Sequence, residues 1–438
     1  MKIAVIADDL TGANDTGVQF ARNGLKTSVL IQPNGQILPD LDVVVMDTDS
    51  RSVSGNEAYL RVKAASEYLS KYHFNLVYKK IDSTLRGNIG SELDAVYHVY
   101  APDFIIIAPA YPNNKRVVRN GHLFVKERAI HQTEFANDPK TPIHTSYVPD
   151  ILRKGSNHEV GIITKENLVR GKTHVLNLLN EMKEQNIPYI LFDSDQQSDL
   201  DEIVTYINQS RFKVVWSGSA GLAHALKMNY HPLKQNEKLH IQYKDATILT
   251  VIGSVNKRTR EQLDVLRADE SNKCIRLQSH LIVGNDLDCG AEVKRVIEET
   301  RLATKDYKSV VIYSAGDKAE IEEAVRKGVE LQLTPTMVSD RISQVLGQIT
   351  NEIMEKQEVY GLVLTGGDTA RQVCVSLGVS ELNLVDDIEE GIPVGFLHWK
   401  NRDILTITKA GGFGSRMVLK DAINYLKGGE VSCAQSLE

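Results

Sequence analysis

Asp8 and Asp9 stand side by side in Ala7-Asp-Asp-Leu-Thr-Gly-Ala-Asn-Asp15, directly after an apolar run. Two carboxylates at the end of a buried strand can accept hydrogen bonds from hydroxyls, take up a proton or bind Mg2+. The plainer alternative is that one caps the following helix while the other is solvated. A second cluster, Lys79-Lys-Ile-Asp-Ser-Thr-Leu-Arg-Gly-Asn88, puts cations, a carboxylate, hydroxyls and a guanidinium within a few residues. From it Lys80, Asp82, Ser83 and Arg86 are candidate ligands of a small anionic substrate. Arg86 suits a carboxylate, because a guanidinium can grip one with two parallel hydrogen bonds. A structural ion pair between Lys80 and Asp82 is the competing explanation. Asp9 and Asp82 are both candidates for the group that accepts a proton.

Asp47-Thr-Asp-Ser-Arg51 superficially resembles the D-x-D start of haloacid-dehalogenase-type phosphatases, with Asp47 and Asp49 as the acidic pair. Those sites continue with Thr or Val and an apolar residue, whereas Ser50 and Arg51 follow here. Arg51 is therefore assigned as a further anion contact beside the first cluster.

A different chemistry is written at Tyr360-Gly-Leu-Val-Leu-Thr-Gly-Gly-Asp-Thr-Ala370. An apolar run breaks into Gly366 and Gly367, and a helix-compatible stretch follows Asp368 and Thr369. Strand, glycine turn and helix N-terminus together offer unpaired N–H groups and a favourable dipole to an anion. Without a Cβ the backbone can approach a phosphate closely. Thr369 can cap the helix or touch a phosphate oxygen, and Asp368 can hold Mg2+ directly or through water. Ile252-Gly-Ser-Val255 and Lys409-Ala-Gly-Gly-Phe-Gly-Ser415 are comparable turns after strands, adding Ser254 and Gly411. Singly, each is explained by chain reversal; three in one half argue for a shared nucleotide site. No G-x-x-x-x-G-K-[ST] occurs, which excludes a P-loop.

These clusters need strand ends to carry them, and the pattern supplies them. Strands are expected at Ile3–Ala7, Thr27–Ile31, Val43–Met46, Leu76–Lys79, Phe104–Ala108, Val160–Ile163, Tyr189–Phe192 and Lys213–Trp216, with helices at Thr11–Gly24, Glu57–Tyr72, Glu92–Tyr100 and Asn167–Gln185. Alternation of this kind predicts α/β folding with ligands at the carboxyl ends of a mostly parallel sheet. Residues 109–149 lack periodicity and are expected to form a long functional loop or lid. Trp216-Ser-Gly-Ser-Ala-Gly-Leu222 serves either packing or interdomain contact, ahead of a helix at Ala220–Leu226. After the polar stretch Asn229–Lys238 a second α/β series begins: strands Thr247–Ile252, Val310–Tyr313, Leu362–Leu364, Val394–Leu397 and Ile404–Thr408, with helices Arg258–Leu266 and Ile342–Glu355. The domains are accordingly placed at 1–232 and 240–430, with a frayed tail from Gly428.

At 438 residues the chain is too long for one typical domain. Its 42% hydrophobic and 25% charged content is that of a soluble globular protein. A net charge of −6 without a basic block points away from nucleic acid, and no apolar run approaches membrane-spanning length. Four cysteines without C-x-x-C spacing suit a reducing cytoplasm.

Taken together, Ala7-Asp-Asp-Leu-Thr-Gly-Ala13, Lys80-Ile-Asp-Ser-Thr-Leu-Arg-Gly87, Gly218-Ser-Ala-Gly-Leu222, Gly366-Gly-Asp-Thr369 and Lys409-Ala-Gly-Gly-Phe-Gly414 resemble the four-carbon acid sugar kinases over almost the whole chain. The resemblance implies two Rossmann-like three-layer domains with mostly parallel sheets, the first binding sugar acid and the second nucleotide. It implies ATP- and Mg2+-dependent phosphorylation of the 4-hydroxyl of a four-carbon acid. Asp8, Asp9, Arg51, Lys80, Asp82, Ser83 and Arg86 would line the acid site, and Ser254, Gly366, Gly367, Asp368, Thr369 and Gly411 would contact ATP. The form Ile-Asp-Ser-Thr-Leu-Arg is closer to D-threonate and D-erythronate kinases than to 3-oxotetronate kinases. Two departures from the family pattern stand out: Lys115 where relatives carry Gly before Arg116, which bears on the loop backbone in that part of the substrate pocket, and Ala410 where many carry Ser, which removes one possible phosphate hydrogen bond. The alternatives are an oxotetronate 4-kinase, a phosphatase on Asp47 and Asp49, or a silent ligand sensor. Metal ligands, acid stereochemistry and oligomeric state, monomer or homodimer, are left open.

Overall fold

A computed structural model of the chain describes residues 2–32, 40–138, 140–228, 246–314 and 317–428. It separates into two compact units, Met1–Val29 with Gln36–Gln235, and Leu30–Gly35 with Asn236–Glu438. The expected boundary at Asn229–Lys238 and the tail beyond Gly428 lie outside the described residues.

In the first unit the strands run Thr27–Leu30, Val43–Asp47, Ile3–Ala7, Leu76–Lys80, Val214–Gly218, Phe104–Ala108, Tyr189–Phe192 and Val160–Ile163 across the sheet. The pairings from Val43–Asp47 to Val160–Ile163 are all parallel. β-branched runs such as Ile3-Ala-Val-Ile-Ala7 are buried along their whole length, as a sheet covered on both faces requires. Register then decides what meets at the sheet's end. Ala7 lies opposite Asp47 on one side and Lys80 on the other, and Lys80 lies opposite Gly218. The residues that follow these strands, Asp8–Asp9, Thr48–Arg51 and Ile81–Arg86, therefore leave one edge side by side.

The second unit orders its strands Asn272–Arg276, Ser309–Tyr313, Thr247–Ile252, Val359–Thr365, Arg402–Lys409, Pro393–Trp399 and Glu381–Asp387. The first five are parallel and the last two are added as antiparallel neighbours. Here Ile252 is paired with Thr365, and Thr365 with Lys409, so the three glycine-bearing turns start from adjacent strand ends. A buried cluster including Ile248, Leu263, Val363, Ile407 and Ile423 packs the outer helices onto this sheet.

Two regions of the first unit differ from the sequence expectation. The helix expected over Asn167–Gln185 is two helices, Lys165–Val169 and Lys172–Glu184, broken at Gly171 with φ 87°. The segment 109–149 is not a plain loop: Arg116–Arg119, His122–Val125 and Arg128–Ala129 form a small antiparallel sheet. Its first turn is Asn120-Gly121, with φ 49° and 73°, the positive pair that a tight hairpin needs. The Asp193 carboxylate accepts both turn N–H groups, at 2.7 and 2.9 Å. The Gly218-Ser-Ala-Gly221 turn is packing within the first unit. A Cβ on Gly218 or Gly221 would meet the carbonyl of Ala108 or Ala110 at 2.5 and 2.7 Å.

Lys115 occupies a left-handed position, φ 55° and ψ 38°, at the end of the short turn Pro112–Asn114. A lysine thus takes up the conformation that glycine would hold at less cost. Lys115→Gly should raise stability by up to about 1 kcal/mol, part of the relief being offset by the greater freedom of glycine in the unfolded chain. Denaturant unfolding checks this. A loss of stability would mean that the lysine side chain contributes packing that outweighs its backbone strain.

Candidate active site

At the carboxyl edge of the first sheet the Arg51 guanidinium is shared by two aspartates. Its Nε and Nη2 donate to Asp8 at 2.6 and 3.0 Å, and its Nη1 and Nη2 donate to Asp9 at 2.6 and 2.7 Å. Asp9 also caps the helix Leu10–Ala21 by accepting the Gly12 N–H at 2.8 Å. The adjacent acids differ in their electrostatics. Burial pushes the Asp9 carboxyl up, Arg51 opposes this, and the neighbouring Asp8 charge adds to it, leaving Asp9 above its ordinary value. Asp8 is also pushed up by burial, but Arg51, Lys79 and Lys80 outweigh that and hold it low.

The loop that carries Arg51 is fixed from below. The Asn88 amide donates to the carbonyls of Ser50 and Val53 at 3.1 and 2.8 Å. Ser50 Oγ donates to Glu92 Oε1 at 2.8 Å, and Glu92 Oε2 pairs with Lys79 Nζ at 2.7 Å. Lys79 and Glu92 are almost completely buried, so removing either would strand a charge, at a cost of about 3–5 kcal/mol.

Asp82 accepts Arg86 Nε at 2.7 Å and the Thr84 hydroxyl, all on Oδ2. Burial alone would raise its pKa, but Arg86, Arg51 and Arg116 hold it well below the usual carboxylate range. Lys80 is not its ion-pair partner: the Lys80 ammonium donates to the Ile81 carbonyl at 3.0 Å. Arg86 is itself engaged, by Asp82 and by Asp138 Oδ2 at 3.1 Å, and lies 5.5 Å over the Phe135 ring. The sequence assigned Arg86 to a substrate carboxylate; in the structure two aspartates already occupy it. Ser83 Oγ accepts Arg116 Nη1. Asp8, Asp9, Arg51, Lys80, Asp82, Ser83 and Arg86 thus lie together at one edge of the sheet. Arg116, Phe135 and Asp138 join them from the segment whose fold the sequence pattern left unresolved.

Asp47 and Asp49 do not act as a pair here. The Asp47 carboxylate is buried and accepts the Asp49 N–H at 3.0 Å, whereas Asp49 is directed to Arg61 at 3.3 Å.

In the second unit Gly366 has φ 103° and precedes the helix Gly367–Ser376 without a side-chain cap. Thr369 is therefore not the cap of this helix, and Asn256 rather than Ser254 caps Lys257–Arg267. A Cβ on Gly253 would strike Thr369 Oγ1 at 1.9 Å, and one on Gly411 would strike Ser254 Oγ at 2.3 Å. These contacts bring Ser254, Gly366, Thr369 and Gly411 into one backbone-lined group, with Gly367 and Asp368 in the first turn of its helix.

Behind the last turn lies Lys409, which the sequence placed at the head of that turn without giving its side chain a role. Its buried ammonium donates to the carbonyls of Ala410, Gly411 and Phe413 at 2.8, 3.1 and 3.3 Å. Burial, reinforced by Arg258, pushes it down to about 7 against the pull of Glu389. The Gln262 amide gathers the Phe413 and Ser415 carbonyls at 3.1 and 2.7 Å. Drawing these carbonyls inward fixes the loop's backbone, because each peptide plane places its N–H opposite its C=O.

Residues 3–226 match a family described as a sugar-binding N-terminal domain, and residues 249–419 one described as a nucleotide-binding C-terminal domain. The chain is 32% identical to a D-threonate kinase of Salmonella typhimurium, over 98% of this chain and 99% of that one. The chain belongs to the four-carbon acid sugar kinases. This kinase is also 30% identical to a D-erythronate kinase of Heliobacterium modesticaldum, over 97% of both chains. A solved structure from Salmonella typhimurium LT2 superposes with a TM-score of 0.79 over 96% of this chain and 98% of that one; at 22% identity the likeness concerns the fold. Among the described residues no helix of the kinase is long and apolar enough to cross a membrane.

Proposed function

We propose that the kinase transfers the γ-phosphoryl group of ATP to the 4-hydroxyl of a four-carbon sugar acid, D-threonate or D-erythronate in preference to 3-oxotetronate. The observation that carries this reading is the meeting of Asp8, Asp9, Arg51, Lys80, Asp82 and Arg86 at adjacent parallel strand ends. Such a mixture of hydroxyl acceptors and cations suits a small, polyhydroxylated anion. In this reading Asp8, Asp9, Arg51, Lys80, Asp82, Ser83 and Arg86 line the acid site.

Asp9 is the base. Its carboxyl sits above the ordinary aspartate value, whereas Asp82 is held far below it and would be a poor proton acceptor. Asp82 instead orients the substrate through Oδ1, since its contacts with Thr84 and Arg86 fall on Oδ2. Ser254, Gly366, Gly367, Thr369 and Gly411 hold the ATP phosphates. Mg2+ keeps most of its waters and takes one or two carboxylates beside substrate phosphates. Asp368, in the first turn of the helix after Gly366, fits that demand, and the ion would neutralise phosphate charge there. Phosphoryl transfer asks a protein mainly for alignment and charge stabilisation, which these two groups of residues divide between them. A sugar acid and ATP as substrates suit a cytoplasmic enzyme, and a homodimer is the assembly proposed for it.

A coupled ADP-release assay across stereoisomers of threonate, erythronate and 3-oxotetronate tests the proposal. At least one acid should stimulate ADP release in the presence of Mg2+. Folded protein that no acid stimulates would sink the kinase reading, and a covalent aspartyl-phosphate formed without ATP would favour the phosphatase.

A further inference from the structure

The three guanidinium groups of the first site are unequally provided for. Arg51 touches Asp8 and Asp9, and Arg86 touches Asp82 and Asp138. Arg116 touches no carboxylate among the described residues. Its one side-chain hydrogen bond is donated by Nη1 to Ser83 Oγ, and its Nε is shielded from solvent without an acceptor. Its Cζ lies 5.9 Å over the same Phe135 ring that receives Arg86 at 5.5 Å. Two like charges therefore share one aromatic floor, one paired with two carboxylates and the other, though Asp82 acts on it from farther off, with none in contact. An orphaned donor on a half-buried cation is costly, and its natural remedy is an anion.

Lys80 also lacks a carboxylate within ion-pair distance among the described residues, but its surroundings differ. A Cβ on Gly12 would meet Lys80 Nζ at 2.9 Å and Asp9 Oδ1 at 2.8 Å, so Lys80 flanks the proposed base. A compact ammonium there suits the reacting hydroxyl and incoming phosphoryl group. The planar fork of Arg116 suits a carboxylate.

We infer that Arg116, seated on Phe135 and steadied by Ser83, binds the carboxylate of the sugar acid and so fixes which end of the substrate faces Asp9. The inference rests on the sugar-acid kinase reading and deepens it by separating a carboxylate end, at Arg116, from a hydroxyl end, at Asp9 and Lys80. Arg86 then acts as a positioning residue that holds Asp82 rather than as the carboxylate clamp. The sequence Pro112-Asn-Asn-Lys-Arg116 serves this arrangement through backbone geometry. The left-handed Lys115 ends the turn and starts the strand that carries Arg116.

The test uses full-length enzyme with D-threonate and its primary amide, which keeps the 4-hydroxyl and lacks the charge. D-erythronate and its amide replace them if that acid is turned over better. Arg116→Met should raise KM for the acid about ten- to a hundredfold, the loss expected for one charge-assisted contact. KM for ATP and for the amide should be unchanged, and Arg116→Lys, which keeps charge without the fork, should recover part of the loss. A thermal melt of each variant reports folding, and if the Met variant does not fold the Lys variant decides. An unchanged acid KM, or equal rises for acid and amide, would overturn the assignment. Wild-type enzyme inactive towards every four-carbon acid would instead overturn the kinase reading itself.

Discussion

An Asp9→Asn enzyme should bind acid and nucleotide yet transfer phosphoryl groups about 10²- to 10⁴-fold more slowly, the range expected on loss of a positioned base. Asparagine still caps a helix, so the Leu10–Ala21 helix should survive the change. The pH dependence sharpens the test. Burial and the Asp8 charge raise the Asp9 carboxyl above its ordinary value, although Arg51 opposes them. A base must be deprotonated, so kcat/KM should fall as pH drops through that raised pKa. The limb should lie above the ordinary aspartate range, and Asp9→Asn should abolish it. Asp82→Asn should act differently. It removes the charge that holds Arg86 and turns one carboxylate oxygen into a donor, either towards Arg86 or towards the substrate, so KM for the acid should rise while the acid limb persists. Steady-state kinetics from pH 4 to 8 on both variants distinguishes the roles. If Asp82→Asn abolishes the limb and Asp9→Asn retains it, the assignments must be exchanged.

Much of this site was legible because the strands announce themselves. Ile3–Ala7 and Val43–Asp47 are short, buried, β-branched runs, and the polar residues that follow them can only emerge at the sheet's edge. What periodicity could not supply was partnership. Nothing in the spacing of Arg86 distinguishes a substrate contact from a pair with Asp82 and Asp138, the second of which lies 52 residues away. The family pattern drew attention to the turn before Arg116, but its strand and contacts were hidden for a related reason. Its strand, Arg116–Arg119, has only two buried residues between two arginines, too short a pattern to separate from loop. A usable signal was present in Asn120-Gly121, the dipeptide of a tight hairpin turn, and it would have turned a presumed lid into a small sheet. The edge strand Asn272–Arg276 escaped because only Ile275 in it is buried. Lys409 was visible only as the first residue of a glycine turn; its role as a donor to three carbonyls depends on the loop folding back over it.

Gly367→Val should abolish nucleotide binding while the fold and its melting temperature stay close to wild type. The left-handed backbone belongs to Gly366, with φ 103°, whereas Gly367 is the first residue of the helix and valine can adopt its conformation. Valine there is no worse a helix former than glycine, so strain is small. Its branched side chain would nevertheless stand at the helix N-terminus, where a phosphate must approach the unpaired N–H groups. Gly366→Val is the contrasting variant. A Cβ at Gly366 would lie 3.3 Å from Ser254 N and 3.4 Å from Thr369 Oγ1, and the left-handed backbone adds a strain of about 1–3 kcal/mol. That variant should lose both stability and nucleotide. Calorimetric ADP titration beside thermal melts reads the two effects separately. A Gly367→Val protein that melts normally and binds ADP with wild-type affinity would reduce this turn to a chain reversal and move the nucleotide site elsewhere. If it melts normally and fails to bind, the loss can be ascribed to the blocked approach alone, because the residue that bears the strain has been left untouched.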